Sequence, residues 1–323
     1  MQEVKTRPMG TTILDNLARG MFRLLGRTPA ALREACAVAL GRLFYTVDFH
    51  HRRIALANLT RAFGGQMAKS EMRGLAVRVF ENMCRIVFEM GWALHLPKSE
   101  WTRFFSISGI ENYVNAAARG KGVLMMTAHF GNWELLPLIA HMSGARPRIV
   151  YRPLENAFLD RFIRANRSRF GAVMIPTRRG AMQKMYLALR RGNPVALLAD
   201  QNEVLHKGVF VDFFGHPACT NASLAMLSLR SGAPVVPVFM IRQGRRFRVE
   251  FGPALDPLRT GDTTRDVEEN TQIYTRIIED FIRRYPDQWF WVHQRWKTRN
   301  LRNWPDPVRR ARWLEAQRKE GLK

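Results

Sequence analysis

Short apolar runs alternate with helical segments through the middle of the chain. Between about residues 103 and 252, seven runs have the length and composition of buried strands, and amphipathic helical periodicity separates most of them. This alternation predicts an α/β fold in which a largely parallel central sheet is flanked by helices on both faces. The predicted strands are 104–109, 122–127, 147–151, 172–175, 194–199, 234–241 and 246–251, and the predicted helices are 111–119, 132–143, 157–169, 180–191 and 221–231.

The regions on either side of this alternation have a different character. Residues 1–100 lack strand alternation and predict a helical N-terminal region that precedes a single α/β domain over 101–299. A further helix is predicted over 265–284, with one apolar face. Residues 300–323 form a basic tail with seven Lys or Arg against three Asp or Glu.

The start of the chain predicts attachment to a membrane interface. No apolar run reaches the roughly 18 residues expected of a spanning helix. Residues 13–25 instead combine helically spaced apolar side chains with arginines, a composition typical of helices that lie in a membrane surface. The alternative is a helix that docks on its own domain. The apolar positions are Ile13, Leu14, Leu17, Met21, Phe22 and Leu25, and the arginines are Arg19, Arg23 and Arg27.

Composition adds a strong charge to an otherwise ordinary globular protein. The 323 residues are 46% hydrophobic and 24% charged, and the net charge is +24. A charge of this size implies anionic partners: a membrane surface, an acidic protein, a phosphorylated substrate or nucleic acid. The three cysteines are far apart and predict neither a disulfide framework nor a zinc site, which favours a reducing compartment.

A histidine and a glutamate follow the second predicted strand, in the segment TAHFGNWE at residues 127–134. On one straight helix, His129 and Glu134 would point about 140° apart. They can meet only if His129 lies in a loop before the helix, and Gly131 permits such a bend. His129 would then be a general base and Glu134 its orienting carboxylate. The alternative is a glutamate that the helix dipole favours and a histidine without a catalytic role.

Polar residues follow other predicted strands. Arg152 ends the strand 147–151, and Arg169 follows the next helix, where a guanidinium suits phosphate or oxyanion binding. Asp200 follows the strand 194–199 and would orient an arginine, bind substrate or cap a turn. Arg152 and Asp200 thus lie at the carboxyl edge of the predicted sheet, where open α/β sheets bind ligands.

The segment 289–296 contains three tryptophans between histidine, arginine and glutamine. Such a block can stack nucleic-acid bases, but it also suits an amphipathic strand that packs its aromatic side chains on the core. Its flanks contain no recognisable nucleic-acid module, so we expect no nucleic-acid partner. The chain also lacks a dinucleotide-binding glycine motif, a Walker loop and a serine nucleophile elbow. We expect no metal or other cofactor.

These blocks together resemble one enzyme family. HFGNWE resembles the H-x4-D/E signature of glycerolipid-type acyltransferases, which implies a fold like that of glycerol-3-phosphate acyltransferase. The remaining blocks are similar to the late lauroyl and myristoyl acyltransferases of lipid A biosynthesis. They are Tyr151-Arg152-Pro153 with Asn156 and Asp160, Arg167 with Arg169, Asp200-Gln201, Phe213–Gly215 and residues 286–299. The resemblance runs from about residue 50 to residue 299, and the N-terminal region is shorter and more charged than is usual in that group.

The resemblance implies a direct acyl transfer. His129 would deprotonate a hydroxyl of the acceptor lipid, and Glu134 would orient and stabilise the imidazole. Arg169, with Arg152 or Asn132, would stabilise the oxyanion or hold a phosphate, and Asp200 would bind substrate. The fatty acyl chain needs an apolar slot, for which Met125, Met126, Phe213 and Phe214 are candidates.

The same resemblance implies the partners and the location. The donor would be acyl-acyl carrier protein, with acyl-CoA as the alternative, and the acceptor would be a phosphorylated glycolipid precursor of lipid A. Such an enzyme would work on the cytoplasmic face of the bacterial inner membrane, attached at the interface. The alternatives are an acyltransferase for a lysophospholipid, an amino lipid or another glycolipid, and a basic membrane- or nucleic-acid-binding protein without catalysis.

Overall fold

A seven-stranded sheet forms the centre of the molecule, with the strand order β1-β9-β8-β2-β5-β3-β4. The structure is a computed structural model that describes Gly20, Phe22, residues 24–298, Ala311 and Glu315. Strands β8, β2, β5, β3 and β4 are parallel, whereas β9 runs antiparallel to β8 and parallel to β1. The prediction of a largely parallel sheet is confirmed. The strands are β1 Phe105–Ser108, β2 Leu124–Thr127, β3 Arg148–Tyr151, β4 Val173–Pro176, β5 Val195–Leu198, β8 Val235–Gln243 and β9 Arg246–Phe251.

The helices follow the predicted alternation closely. Four of them, α1 to α4, precede the first strand, and α1 to α3 lie within residues 1–100, which agrees with the prediction of a helical N-terminal region for the part of it that is described. The boundary near residue 100 stays a prediction. The helices are α1 Ala30–Val47, α2 Phe49–Phe63, α3 Lys69–Ala93, α4 Trp101–Phe104, α5 Ile110–Ala118, α6 Leu136–Met142, α7 Ala157–Ser168, α8 Ala181–Arg190, α9 Ser223–Ser231 and α10 Thr263–Arg284.

A two-stranded antiparallel hairpin lies outside the central sheet and was not predicted. Its strands are β6 Gly208–Phe213 and β7 His216–Asn221, joined through Phe214 and Gly215, which both have positive φ angles. The sequence hides this hairpin because its buried positions do not alternate with polar ones, which is the main signal of a half-exposed strand. Both Phe213 and Phe214 are buried in the core.

Two hydrophobic cores cover the two faces of the sheet. Alternate residues of β2 point to opposite sides, so that Leu124 and Met126 belong to one core and Met125 belongs to the other. Helix α3 contributes to both cores, with Val79 on one side and Met90 on the other. The N-terminal helices are therefore packed directly onto the sheet.

The predicted interfacial segment 13–25 lies largely outside the described residues, as does most of the basic tail 300–323. Of the described part, Phe22 is buried against Phe162, with ring centroids 4.4 Å apart. Among the helices that the structure describes, none combines the length and the apolar character needed to cross a bilayer.

Candidate active site

His129 and Asp200 come together because their strands are neighbours. Strands β2 and β5 pair in parallel, with Thr127 opposite Leu198, and each of the two polar residues lies two positions beyond that pair. Parallel strands end at the same edge of the sheet, so the backbone register brings the two side chains to the same place. This edge is where ligands bind in open α/β sheets.

The Asp200 carboxylate holds His129 by two hydrogen bonds. Its Oδ1 lies 2.9 Å from Nδ1 of the imidazole, and its Oδ2 accepts a bond of 3.0 Å from the backbone N–H of His129. An ionised carboxylate can only accept hydrogen bonds, so the network assigns the proton to Nδ1. The lone pair on Nε2 is then available to take a proton from a substrate.

Asp200 is kept ionised although it is buried, with a side chain only 1% exposed. Burial alone would raise the pKa of its carboxyl, but the electrostatic interaction with His129 and the hydrogen bonds from His129 and Trp289 outweigh burial and lower that pKa. The Trp289 indole N–H donates to Oδ2 over 2.7 Å. Three hydrogen bonds from the protein therefore hold the carboxylate in place.

The His129 ring is only partly buried. Its side chain is 21% exposed, and Nε2 lies 3.5 Å from the side-chain amide nitrogen of Gln201. The rings of Trp133 and Phe290 pack beside the imidazole, with centroids 5.1 and 5.9 Å from it. A base with one nitrogen fixed and the other accessible between aromatic rings is suited to general acid–base chemistry.

Glu134 has a different partner from the predicted one. It forms a two-pronged ion pair with Arg167, with bonds of 2.6 and 2.9 Å, and accepts a further bond of 3.0 Å from the indole N–H of Trp133. No described contact joins its carboxylate to His129. The prediction that Glu134 orients the imidazole is therefore wrong for this geometry, because Asp200 already occupies Nδ1.

The ion pair of Glu134 and Arg167 is buried beside the histidine, with side chains 9% and 13% exposed. Burial alone would lower the pKa of Arg167, but the charge of Glu134 and the hydrogen bonds between the two groups raise it. Among the described contacts, Glu134 reaches His129 through Trp133, whose ring contacts the imidazole. We assign Glu134 to positioning this wall of the site.

The bend between strand and helix depends on Gly131, as predicted. Its φ angle is 60°, in the left-handed region, and a Cβ at this position would overlap the carbonyl oxygen of Met240. Its N–H donates to the carbonyl of Gln288 over 2.9 Å. The predicted helix 132–143 begins only after a 3₁₀ turn over Trp133–Leu135. The bend therefore leaves His129 in the loop.

The other predicted substrate-binding residues lie elsewhere. Asn132 is fully buried and donates to the Ile86 carbonyl and the Glu89 carboxylate, over 3.2 and 2.9 Å. Arg152 and Arg169 are exposed, and within the described residues neither contacts His129. Asn132 is therefore bonded within the core, whereas oxyanion or phosphate binding by Arg152 and Arg169 stays a prediction. Asp200 is also no direct substrate ligand, since its oxygens are bonded to His129 and Trp289.

Sequence reasoning identified both members of the dyad but not their pairing. Asp200 and His129 each lie just after an apolar run predicted as a strand. This shared position at a strand end is the signal that could have paired them. Strand order was missing, because nothing in a single sequence says that β5 lies beside β2. Over the described residues, no group of three or more His, Cys, Asp and Glu side chains is arranged to hold a metal ion.

The aromatic block packs inward instead of forming a surface for bases. Trp289, Trp291 and Trp296 are all buried, and they belong to the same hydrophobic core. Arg295 is also buried, where its guanidinium donates to the Cys219 carbonyl and to Thr220. The prediction that these aromatic side chains pack on the core is confirmed, although only Trp289 makes a strand-like pairing, with Phe130.

An apolar cleft lies between helix α6 and the sheet. It is next to residues 128–132, the loop that carries His129 and that we call the catalytic loop. Its cavity volume is about 40 Å³, it is open to solvent, and Thr127 and Leu136 bring it close in sequence to both ends of that loop. Of the four side chains predicted to form an acyl slot, only Met125 lines this cleft, since Met126, Phe213 and Phe214 belong to the opposite core. The other lining residues are Pro137, Ile139, Ala140, Pro147, Ile149, Ala196, Val238 and Phe251.

The chain matches one protein family over most of its length. The model of the family described as bacterial lipid A biosynthesis acyltransferase matches residues 3–298, which is most of the chain. The chain belongs to this family. The prediction from the sequence blocks is therefore confirmed. The protein is an enzyme that transfers acyl groups.

Individual relatives have the same type of activity in their names. This chain is 28% identical over 293 residues to the lipid A biosynthesis lauroyltransferase of Escherichia coli K12, and the match covers 88% of this chain and 91% of the relative. It is 28% identical over 251 residues to the palmitoleoyltransferase of the same organism, covering 76% and 78%. It is also 26% identical over 193 residues to a phosphatidylinositol mannoside acyltransferase of Mycobacterium tuberculosis, covering 59% of each.

A comparison with solved structures finds the 1-acyl-sn-glycerophosphate acyltransferase of Thermotoga maritima. The match covers 80% of this family member and 98% of that chain, at 14% identity and a TM-score of 0.38. The fold class rests on the strand order and pairing described above.

Proposed function

We propose that this enzyme transfers a fatty acyl group from an acyl thioester, carried by acyl carrier protein, to a hydroxyl of a lipid A precursor at a membrane surface. The observation that carries the chemistry is the Asp200–His129 pair, which fixes one imidazole nitrogen and leaves the other exposed. The names of the E. coli relatives support the choice of acceptor.

The reaction follows from the position of the free nitrogen. Nε2 of His129 takes the proton of the acceptor hydroxyl as its oxygen attacks the thioester carbonyl, which forms a tetrahedral oxyanion. The carbon–sulfur bond then breaks, and the imidazolium returns the proton to the departing thiolate. Asp200 stabilises the imidazolium through Nδ1, and the Gln201 amide, 3.5 Å from Nε2, is placed to donate a hydrogen bond to the oxyanion.

Charge and shape support the donor. Acyl carrier protein is acidic, and a chain with a net charge of +24 attracts such a partner and speeds its encounter. The apolar cleft under helix α6 has the lining that a fatty acyl chain requires, and Thr127 and Leu136 connect it to the catalytic loop. An acyl chain in this cleft would place its thioester near His129.

An exposed apolar face supports attachment to a membrane. Helix α1 and the first residue of α2 carry Leu40, Leu43, Phe44, Val47 and Phe49 with 37–66% of each residue exposed. We call these five residues the α1 apolar face. Contiguous exposed apolar side chains on a soluble surface mark a binding surface, and the basic side chains around this face favour anionic lipids. The basic neighbours are Arg42, Arg52 and Arg53.

Flotation with lipid vesicles tests the membrane proposal. We expect the protein to float with phosphatidylglycerol vesicles, and the Leu43→Ser/Phe49→Ser variant to lose most of that binding while its melting temperature stays unchanged. Leu187→Ser/Met226→Ser is the matched control, because it removes two exposed apolar side chains from α8 and α9. Equal flotation of both variants would reject the α1 apolar face as the attachment surface.

A mass-spectrometric transfer assay tests the reaction and the acceptor. Purified protein is mixed with acyl-acyl carrier protein and a panel of lipid A precursors, lysophospholipids and glycolipids, with His129→Ala in parallel. We expect one acyl group to be added to the lipid A precursor by the wild type only. Addition by the His129→Ala variant at the wild-type rate would reject the mechanism.

A second acceptor is favoured by one specific resemblance. The match to the phosphatidylinositol mannoside acyltransferase points to a mannosylated inositol phospholipid. The same panel, extended by this lipid, separates the two: transfer to it alone would keep the chemistry and change the acceptor.

A further inference from the structure

A charged cleft lies at the catalytic edge of the sheet, separate from His129. It is formed by the first turns of helix α1, the end of helix α3 and the hairpin turn between β8 and β9. Strand β8 runs parallel to β2, so this turn lies at the same edge of the sheet as His129. The charged side chains that line the cleft are Arg33, Glu34, Arg85, Glu89 and Arg245.

Both carboxylates of the cleft are already paired with other arginines. Glu34 accepts bonds of 2.7 and 2.9 Å from Arg85. Glu89 accepts bonds of 2.5 and 2.6 Å from Arg242, which lies outside the cleft lining. Within the described residues, no carboxylate lies within ion-pair distance of Arg33 or Arg245. The cleft therefore has two guanidinium groups that form no ion pair with a described carboxylate.

Arg33 is held in place for binding. Its guanidinium lies 5.0 Å above the ring of Trp92, and one of its nitrogens donates to the Thr28 carbonyl over 3.3 Å. Trp92 in turn stacks on Phe247, with centroids 6.3 Å apart. A planar guanidinium fixed by an aromatic ring loses little further freedom when it binds an anion.

The electrostatics of the cleft also favour an anion. Burial lowers the pKa of the Arg33 guanidinium; the charges of Glu89 and Glu34 oppose this effect, and the positive charge of Arg245 adds to it. Two like charges that face one cleft repel each other, and an anion between them would remove that repulsion. Arginine pairs are suited to phosphate because each offers a planar fork of N–H donors.

The cleft is connected to the catalytic loop through one side chain. Glu89 accepts a hydrogen bond of 2.9 Å from Asn132, which lies three residues after His129. Asn132 thus links the wall of the charged cleft to the loop that carries the base, and a ligand could span both.

We propose that Arg33 and Arg245 bind a phosphate group of the acceptor lipid while its hydroxyl lies at His129. The identity of the ligand rests on the proposed function, whereas the phosphate site itself rests only on the cleft. A phosphate in this position would come from a sugar phosphomonoester of the acceptor or from the phosphodiester of a phospholipid headgroup.

Calorimetric titration of the full chain tests the site without catalysis. The probes are glucosamine 1-phosphate, dihexanoylphosphatidylglycerol and inorganic phosphate, with glucosamine as the neutral control. We expect Arg33→Gln/Arg245→Gln to weaken phosphate binding at least tenfold. Arg190→Gln/Arg191→Gln, which removes two exposed arginines before β5 at the opposite edge of the sheet, should bind as the wild type does.

The outcomes separate the sources of the phosphate. Tighter binding of glucosamine 1-phosphate supports an acceptor phosphomonoester, and tighter binding of the phosphatidylglycerol supports a phospholipid headgroup at the same site. Equal binding by the two double variants, or no binding of any phosphate probe by the wild type, would overturn the proposal. Arg245→Gln alone, in an exposed turn, tests the site if Arg33→Gln does not fold.

Transfer kinetics then distinguish a failure of the site from a failure of the proposed function. With phosphorylated and dephosphorylated lipid A precursors, the Arg33→Gln/Arg245→Gln variant should raise KM for the phosphorylated acceptor at least tenfold and lower kcat much less. The wild-type enzyme should itself have a raised KM for the dephosphorylated acceptor. If the wild type acylates neither lipid, the proposed acceptor fails while the calorimetric result still decides the phosphate site.

Discussion

Nδ1 of His129 lies 2.9 Å from Oδ1 of Asp200 because the two residues occupy equivalent positions beyond paired strands. The sheet itself sets this geometry, and the second carboxylate oxygen fixes the backbone of the same histidine. The dyad is therefore formed before any substrate binds. Preorganised groups of this kind lower the cost of reaching the transition state.

Asp200→Asn should lower kcat by roughly 10²–10⁴-fold. The amide keeps the size of the side chain but removes the charge that stabilises the imidazolium, and its NH₂ group can favour the wrong tautomer. Steady-state kinetics with the acyl thioester donor measure the effect. Asp256→Asn, at an exposed ion pair with Arg119, is the matched control and should leave kcat unchanged. Wild-type kcat in Asp200→Asn would disprove the dyad.

Glu134→Ala should destabilise the fold by about 3–5 kcal/mol, because it leaves the buried Arg167 charge without its partner. Adding Arg167→Met removes the unpaired charge and should recover most of the loss. Urea denaturation measures the free energy of unfolding of both variants. If Glu134 acted on His129 directly, the single variant would instead keep its stability and lose kcat as Asp200→Asn does.

Gly131→Ala should lower stability and activity together. The added Cβ would force a left-handed residue against the Met240 carbonyl, so the catalytic loop must shift. Gly120→Ala is the matched control, since its φ angle is also positive but a Cβ there meets open space. Thermal unfolding should show a larger loss for Gly131→Ala than for Gly120→Ala. Equal losses would show that backbone strain alone decides the effect.

Stability should fall as the pH drops from about 6.5 towards 4, in part because of His293. Burial and the charge of Arg295 lower the pKa of this histidine to about 4, although Asp200 opposes the shift. In this window the unfolded chain binds the proton and the folded protein does not, so the contribution is present above the unfolded pKa and is lost on acidification.

Urea denaturation between pH 7 and pH 4.5 measures this dependence. We expect His293→Gln to reduce the slope by up to about 1.4 kcal/mol per pH unit, which corresponds to one proton. His206→Gln, which removes a histidine from an exposed site, is the control. Identical slopes in the wild type and His293→Gln would show that His293 is protonated in the folded protein.

Local patterns in the sequence determined the elements and the position of the base. Apolar runs of strand length and helical periodicity depend on neighbouring residues alone, so the strand before His129 and the bend at Gly131 could be read directly. The same reasoning placed Asp200 at a strand end. The hairpin β6–β7 was missed because its buried positions do not alternate with polar ones.

Only the tertiary structure decided which residues meet. Glu134 is five positions from His129 in sequence, yet it pairs with Arg167, while Asp200, 71 positions away, reaches the imidazole. Arg152 and Arg169 carry the right chemistry and are exposed, and no described contact joins either of them to the base. The physical reason is that the partners of a side chain at a strand end depend on strand order and register, which arise from long-range packing and leave no trace in local periodicity.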